Sequence, residues 1–147
     1  MRSWECRAPA VSGRAKRAQP GFASVDVHRL IRSFRFAVSG ALHVLQTEQN
    51  MRVHVILGVL VVLLGAFLRI STSEWGLVLL CIGAVMAAEC FNSSVERLAD
   101  RLSQDEHYLI RVAKDAAAGG VLMTSLSAAA VGALVFLPKL WSKFMAL

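Results

Sequence analysis

Apolar residues are concentrated in three runs that contain no Asp, Glu, Lys or Arg: residues 53–68, 75–88 and 116–138. With their flanks, the runs reach the roughly 17–25 residues that a helix needs to cross a bilayer. A chain of 147 residues is too small to enclose three of them in a soluble core. The pattern therefore predicts an all-α membrane protein with three transmembrane helices. We place these helices at about residues 51–70, 74–102 and 114–137.

A helical period precedes the first run, over about residues 26–49. Its apolar positions recur at spacings of three and four residues: Val27, Leu30, Ile31, Phe34, Val38, Ala41, Leu42 and Leu45. Arg29, Arg32 and His43 fall on the opposite side of this helix. A basic amphipathic helix next to a membrane usually lies in the interface plane. The pattern alone leaves open whether this helix does more than anchor the chain.

The segment before this helix, residues 1–25, shows no period and combines Arg with small residues and Pro. It predicts a disordered basic tail, and it lacks the apolar stretch of a secretory signal. The rest of the chain, about residues 26–140, then forms one membrane domain. Cys6, Cys81 and Cys90 lack metal-binding spacing and are interpreted as unpaired thiols.

The basic residues are distributed unevenly around the three runs. Most of the positive charge precedes the first run or lies between the second and third runs. Three basic residues remain for the other side of the membrane: Arg69, Lys139 and Lys143. This asymmetry predicts a multi-pass protein with a cytoplasmic N-terminus. The net charge of +6 then indicates an anionic lipid or a nucleotide as partner, and no nucleic acid.

Polar residues form a stripe along the C-terminal part of the second transmembrane helix. At about 100° per residue, five of them fall within an arc of roughly 100°: Glu89, Asn92, Ser93, Glu96 and Asp100. Counting about 1.5 Å per residue from Trp75 places Glu89 about 21 Å along the helix. That position lies inside a hydrocarbon layer of roughly 30 Å. Because an intramembrane carboxylate costs at least ~2.5 kcal/mol, it is retained only with a partner or a function.

The stripe is suited to phosphoryl transfer at the membrane interface. Glu96 and Asp100 lie about where water begins, and paired carboxylates bind Mg²⁺ together with phosphate oxygens. Glu48 offers a further carboxylate at the same membrane edge, and Lys114 a positive charge for phosphate. Glu89 is then the candidate general base for a lipid hydroxyl group.

Simpler explanations exist for each of these residues. Glu89 is also interpretable as a buried structural carboxyl group, and Asn92 and Ser93 as polar contacts between helices. Lys114 is interpretable as a membrane anchor. Two other functions remain open at this point. One is a small ion-coupled transporter subunit that uses Glu89, and the other is a non-catalytic membrane adaptor that binds through its amphipathic helix.

At these residues the sequence resembles the prokaryotic diacylglycerol kinase and undecaprenol kinase family. The family signature Glu-x-x-Asn-[Ser/Thr]-x-[Ile/Val]-Glu-x-x-x-Asp is matched by residues 89–100. Residues 114–122 resemble a second motif, residues 33–54 resemble an N-terminal block, and the likeness covers about residues 27–138. The resemblance implies an ATP- and Mg²⁺-dependent kinase of a lipid alcohol, diacylglycerol or undecaprenol, in the bacterial cytoplasmic (inner) membrane. It also implies a homotrimer whose sites are shared between subunits.

The resemblance further implies roles for individual residues. Glu89 resembles the general base of the family, and Glu48 and Glu96 match its metal ligands. Asn92 and Asp100 match polar residues that support the site. The implied ATP-binding residues are Arg29, Asp105, Glu106, His107, Lys114 and Asp115. The segment AAGGVL, residues 117–122, favours the undecaprenol branch by analogy.

Overall fold

The computed structural model describes residues 26–102 and 107–145, and these residues form four α-helices in series. Helix α1 spans Val27–Thr47, α2 spans Gln49–Leu68, α3 spans Thr72–Leu102 and α4 spans Tyr108–Met145. Helices α2, α3 and α4 are long and apolar enough to cross a membrane. The prediction of an all-α fold with three such helices is confirmed. The predicted tail, residues 1–25, lies outside the described residues.

The side chain of Asp26 starts α1 by accepting hydrogen bonds from two backbone N–H groups of the first turn. The donors are His28 at 3.0 Å and Arg29 at 3.3 Å, which satisfies groups that have no partner inside the helix. Helix α1 stops at Thr47 because Glu48 takes an extended backbone conformation, and α2 begins at the next residue. Of the residues in α1, Val44 alone is buried, so this helix leaves most of its apolar side uncovered.

A tight turn joins α2 to α3 at the opposite end of the bundle. Arg69 ends α2 in the left-handed conformation, with φ 51°, and its N–H bonds back to the carbonyl of Ala66. Ser71 and Glu74 then form a reciprocal cap. The Glu74 N–H donates to Ser71 Oγ at 3.3 Å, and the Ser71 N–H donates to Glu74 Oε2 at 2.6 Å. These contacts start α3 at Thr72, two residues before the position predicted from the sequence.

Helix α3 is the central element of the chain. It packs mainly against α4 and also contacts α2 and α1. Of its most apolar 18-residue stretch, 28% is buried within the chain, against 17% for the corresponding stretches of α2 and α4. With 31 residues, α3 is about 46 Å long, which exceeds a hydrocarbon layer of roughly 30 Å. Its last turns therefore extend beyond the apolar layer.

Helix α4 is longer at both ends than the sequence predicts. It begins at Tyr108 rather than near residue 114, and it continues through Pro138 to Met145, beyond the predicted end near residue 137. Proline removes one backbone hydrogen bond but does not forbid a helix when other contacts hold the next turns. Here Lys139 Nζ lies 3.2 Å from Glu74 Oε2, and Lys143 Nζ lies 3.8 Å from the centroid of the Phe67 ring.

The buried apolar core is small and lies toward the α2–α3 turn. Its buried members are Ile70, Val78, Val135 and Phe136. Most other large apolar side chains of α2, α3 and α4 are exposed on the single chain. In a membrane, lipid chains or further copies of the protein cover such faces. The core therefore fixes one end of the bundle, and the polar stripe lies at the other.

Candidate active site

The polar stripe of α3 meets the junction of α1 and α2. Glu89, Asn92 and Ser93 are buried, with 2%, 7% and 1% of their surface exposed, and Glu96 is half-buried. Glu48 lies opposite them because the extended residue between α1 and α2 directs its side chain toward α3. The structure thus brings together three of the predicted carboxylates, namely Glu48, Glu89 and Glu96, which we call the acidic cluster.

Glu48 is held by donors from α3. Ser93 Oγ donates to Glu48 Oε1 at 3.1 Å, and the Arg97 guanidinium donates to the same oxygen at 3.0 Å. The Arg97 guanidinium also donates to Thr47 Oγ1. The Arg97 hydrogen bond is the main reason that the pKa of Glu48 lies below its ordinary value. Partial burial opposes this shift, and Ser93 adds to it, so Glu48 is a carboxylate at neutral pH.

Glu89 differs from Glu48 because its buried oxygen Oε1 accepts no hydrogen bond from any described residue. Within residues 26–102 and 107–145, the basic group nearest to it is the His54 ring of α2, with Nε2 4.0 Å from Glu89 Oε1. Asn50 acts on Glu89 as a side-chain hydrogen-bond donor, so it is the Oε1 atom alone that is left without one among the described residues. An acceptor oxygen buried without a donor is costly, so this arrangement is not explained by stability. An acceptor oxygen in this condition is available to take a proton from a bound hydroxyl group.

Asn92 lies between Glu89 and Glu96 on the same face of α3. Its Nδ2 donates to Glu96 Oε1 at 3.0 Å, while its buried Oδ1 has no donor among the described residues. The charges of Glu96 and Glu48 both act on Glu89. The acidic cluster therefore concentrates negative charge and free oxygen acceptors in one place, which is an environment that attracts a cation.

The donor set fits Mg²⁺ better than a transition metal. No group of three His, Cys, Asp or Glu side chains within residues 26–102 and 107–145 is arranged to enclose a metal ion. Mg²⁺ does not require such a group, because it is usually held by one or two carboxylates and completes its shell with water and phosphate oxygens. Glu48 and Glu96 supply two carboxylates, and the unpaired Asn92 Oδ1 supplies a further oxygen nearby.

Lys114 adds a positive charge beside the acidic cluster. Its Nζ lies 2.9 Å from Asp100 Oδ1, which fastens the start of α4 to the end of α3. The Lys114 charge also interacts with Glu96. Asp100 itself is exposed, so it orients Lys114 without being part of the buried cluster. An ammonium group at this position is suited to a phosphate group that approaches from the aqueous side.

Other predicted site residues lie away from the cluster or outside the described residues. Arg29 is exposed near the start of α1, about 28 Å along that helix from Glu48. Asp115 is exposed and lies 3.9 Å from Arg111. His107 precedes α4, and its Nδ1 accepts a hydrogen bond from the Leu109 N–H at 3.3 Å. Asp105 and Glu106 lie outside the described residues.

Two residues of the site were not identified as functional from the sequence. Arg97 bonds to Glu48 across 49 residues of sequence. His54 contacts Glu89 from the neighbouring helix α2. Both pairs are long-range contacts, and no local period in the sequence signals them.

An apolar cavity of about 180 Å³ lies inside the bundle and is lined in part by His54, the residue that contacts Glu89. It lies between α2, α3 and α4, and His54 is at the end nearest the acidic cluster. The rest of its wall is almost entirely apolar, with Ser125 as the other polar side chain, apart from the Cys81 thiol. The cavity therefore offers an apolar group a place beside His54, whose ring separates it from Glu89.

Comparison with known proteins gives concordant matches. The sequence profile described as prokaryotic diacylglycerol kinase matches residues 35–136. An undecaprenol kinase of Bacillus subtilis is 33% identical over 115 residues, covering 78% of this chain and 94% of that protein. A diacylglycerol kinase of Synechocystis sp. is 34% identical over 114 residues, covering 77% and 65%. A diacylglycerol kinase of Helicobacter pylori is 28% identical over 117 residues, covering 80% and 84%.

Proposed function

Because this chain belongs to the prokaryotic diacylglycerol kinase family, we propose that it transfers the γ-phosphate of ATP to the hydroxyl group of diacylglycerol or undecaprenol. Membership makes the chain a lipid kinase and replaces the transporter and adaptor alternatives. The observation that carries the finer proposal is the buried, unpaired Glu89 oxygen beside Glu48 and Glu96. It combines a proton acceptor with a cation-attracting pair of carboxylates at one place.

In this proposal Glu89 acts as the general base. Its Oε1 takes the proton of the lipid hydroxyl group while the hydroxyl oxygen attacks the γ-phosphorus. A new oxygen–phosphorus bond forms as the bond to the β–γ bridging oxygen breaks, and ADP leaves. The apolar cavity that begins at His54 gives the hydrocarbon part of the lipid a position close to this base.

The other residues position and neutralise phosphate. Glu48 and Glu96 would hold Mg²⁺, which when bound balances the negative charge of the transferring phosphoryl group. Arg97 and Ser93 keep Glu48 ionised and directed at the cluster. Lys114, oriented by Asp100, binds a phosphate oxygen. Arg29, Asp105, Glu106, His107 and Asp115 remain proposed contacts to ATP.

We further propose that the active form is a homotrimer with shared sites. The support is geometric: Arg29 lies about 28 Å along α1 from Glu48 of its own chain, and most of α1 is uncovered. An Arg29 that contacts ATP would then serve the cluster of a neighbouring copy. Because ATP is a cytoplasmic nucleotide, the acidic cluster and the N-terminus would face the cytoplasm at the bacterial inner membrane.

The test is transfer of labelled phosphate from Mg-ATP to diacylglycerol and to undecaprenol in mixed micelles. We expect wild type to phosphorylate one of these lipids, and Glu89→Gln to lose about 10²–10⁴-fold in rate, the usual contribution of a general base. Glu74→Gln is the matched control, since it is the same substitution at the other end of α3, where Gln also supports a cap.

Two outcomes would contradict the proposal. One is no transfer to either lipid by folded wild-type protein. The other is an equal rate for wild type and Glu89→Gln. The relatives that are 33% and 34% identical to this chain are named for different lipids, undecaprenol and diacylglycerol. Sequence similarity therefore does not identify the preferred substrate, and this measurement decides it.

A further inference from the structure

The end of the bundle opposite the acidic cluster carries a second concentration of charge. A recess of about 640 Å³ opens there between the end of α2 and the last turns of α4. Its walls include three basic residues, Arg69, Lys139 and Lys143. The other lining residues are Phe67, Leu68 and Ser142. We call this site the Arg69 recess.

The cations of the Arg69 recess are only partly neutralised. Lys139 Nζ lies 3.2 Å from Glu74 Oε2, and Glu74 is also held by the Ser71 N–H. Lys143 Nζ lies over the Phe67 ring, 3.8 Å from its centroid, and Arg69 is exposed. Among the residues that the structure describes, neither Arg69 nor Lys143 has a carboxylate within 4.0 Å. Three positive charges and one negative charge leave a surplus of two at the recess.

The extension of α4 beyond Pro138 places apolar side chains beside this charge. Lys139 and Lys143 are one turn apart and face the recess. Leu140, Trp141 and Phe144 lie on another side of the same turns, together with Leu137, and Trp141 and Phe144 are 68% and 75% exposed. Exposed Trp and Phe next to basic residues at the end of an apolar helix are typical of the headgroup level of a membrane.

We propose that the Arg69 recess binds the phosphate-bearing headgroup of an anionic phospholipid. The Arg69 guanidinium and the Lys143 ammonium would contact the phosphate oxygens, since both are cationic donors without a carboxylate partner in the described structure. The acyl chains would lie against the exposed Trp141 and Phe144 side chains. A lipid is favoured over a free phosphate because those apolar side chains adjoin the recess and gain nothing from a water-soluble anion.

The full-length protein in phosphatidylcholine vesicles provides the test. Every protein in the comparison carries Trp4→Phe, so that Trp75 and Trp141 are the tryptophans present. A rising fraction of brominated phosphatidylglycerol is added, and quenching of tryptophan fluorescence reports which lipid contacts Trp75 and Trp141. We compare wild type with Arg69→Gln/Lys143→Gln. The matched control is Arg101→Gln/Arg111→Gln, which removes the same charge from exposed positions at the other end of the bundle.

In wild type we expect quenching by brominated phosphatidylglycerol to exceed quenching by brominated phosphatidylcholine at equal mole fraction. Each cation near an anionic surface contributes about fivefold to lipid enrichment, so the recess variant should lose most of the excess. The control variant should keep it. High salt should reduce the excess in wild type.

Three outcomes would overturn the assignment. The first is equal quenching by the two lipids in wild type, which would leave Arg69 and Lys143 as anchors without lipid preference. The second is an unchanged excess in the recess variant. The third is loss of the excess on adding glycerol 3-phosphate, but not sodium chloride of the same ionic strength, which would indicate a site for free phosphate. None of these readouts depends on kinase activity, so they are independent of the proposed function.

Discussion

Arg97 and Glu48 illustrate how one contact sets the charge of a site residue. The Arg97 guanidinium lies 3.0 Å from Glu48 Oε1, and both side chains are about one-third exposed. The pair connects the α1–α2 junction to α3, so it supports the fold and the acidic cluster together. Because the pKa of Glu48 is lowered in the folded protein, the stabilisation is present above the ordinary value of 4.5. It is lost as the pH falls through the lower, folded-state pKa.

We expect Arg97→Gln to reduce the thermal unfolding temperature at pH 7 and to reduce it by a smaller amount at acidic pH. The reason is that protonation of Glu48 removes the attraction in wild type, so the two proteins converge as the pH falls through the lowered pKa of Glu48. Thermal unfolding in detergent from pH 3 to pH 7 measures the difference. A difference that stays constant or grows toward low pH would show that Arg97 acts by packing alone.

His54 is expected to act on catalysis through Glu89. Its Nε2 lies 4.0 Å from Glu89 Oε1. A neighbouring imidazole stabilises a buried carboxylate and helps to pass on the proton that the carboxylate takes up. We expect His54→Leu to lower kcat by about tenfold, with little change in the KM for ATP. Phosphate-transfer kinetics with saturating lipid measure this split.

His43→Leu is the control for that substitution, because His43 is exposed on α1. An equal loss in both variants would point to a general effect of replacing histidine by leucine. An unchanged kcat in His54→Leu would show that the 4.0 Å contact has no role in the reaction.

At the scale of the elements, the junction of α2 and α3 depends on one small residue. A Cβ atom at Gly65 would lie 3.0 Å from the Trp75 ring and 3.1 Å from the Ile70 side chain. Glycine therefore allows the Trp75 ring to pack directly on the α2 backbone, beside the core residues Val78 and Phe136. This is the better-packed end of the bundle, and it sets the distance between α2 and α3.

We expect Gly65→Val to destabilise the protein by about 1–3 kcal/mol, because the added methyl groups displace Trp75 from an already filled site. Gly76→Val is the matched control, since Gly76 is exposed and a Cβ atom there meets nothing within 4 Å. Thermal unfolding in detergent, followed by Trp fluorescence, compares the two. Equal stability of both variants would show that the α2–α3 contact tolerates a wider spacing.

At the scale of the whole molecule, a single chain brings together Glu48, Glu89 and Glu96 but leaves Arg29 remote. This separation yields a prediction about mixed assemblies. An equal mixture of Arg29→Gln protein and Glu89→Gln protein should be active at about a quarter of its sites. An active site needs its cluster from an Arg29→Gln chain and its Arg29 from a Glu89→Gln chain, and each occurs in about half of the cases. The two proteins are mixed in denatured form and refolded into one micelle preparation. The rate of phosphate transfer by this preparation measures the recovery.

Glu48→Gln mixed with Glu89→Gln provides the contrast. Both residues belong to the cluster of one chain, so no combination of these two variants contains an intact cluster, and we expect no recovery. Recovery in this second mixture would mean that Glu48 reaches the cluster of a neighbouring copy. No recovery in the first mixture would place the Arg29 contribution outside a shared site.

The sequence by itself determined which segments are helices and what kind of protein they form. Long charge-free runs have few other stable solutions than membrane helices, because backbone groups in lipid must be bonded internally. The polar stripe from Glu89 to Asp100 was also predictable from the sequence, since residues on one helical face follow a fixed period. Local caps such as Ser71 with Glu74 need only a spacing of three residues.

The tertiary structure decided the contacts between distant segments. Arg97 with Glu48, and His54 with Glu89, join residues on different helices, and their geometry depends on how the helices pack. The continuation of α4 past Pro138 is of the same kind, because Glu74 and Phe67, both far away in sequence, hold its last turns. A period along the chain reports which face a residue occupies, whereas the partner across that face is fixed only when the helices come together.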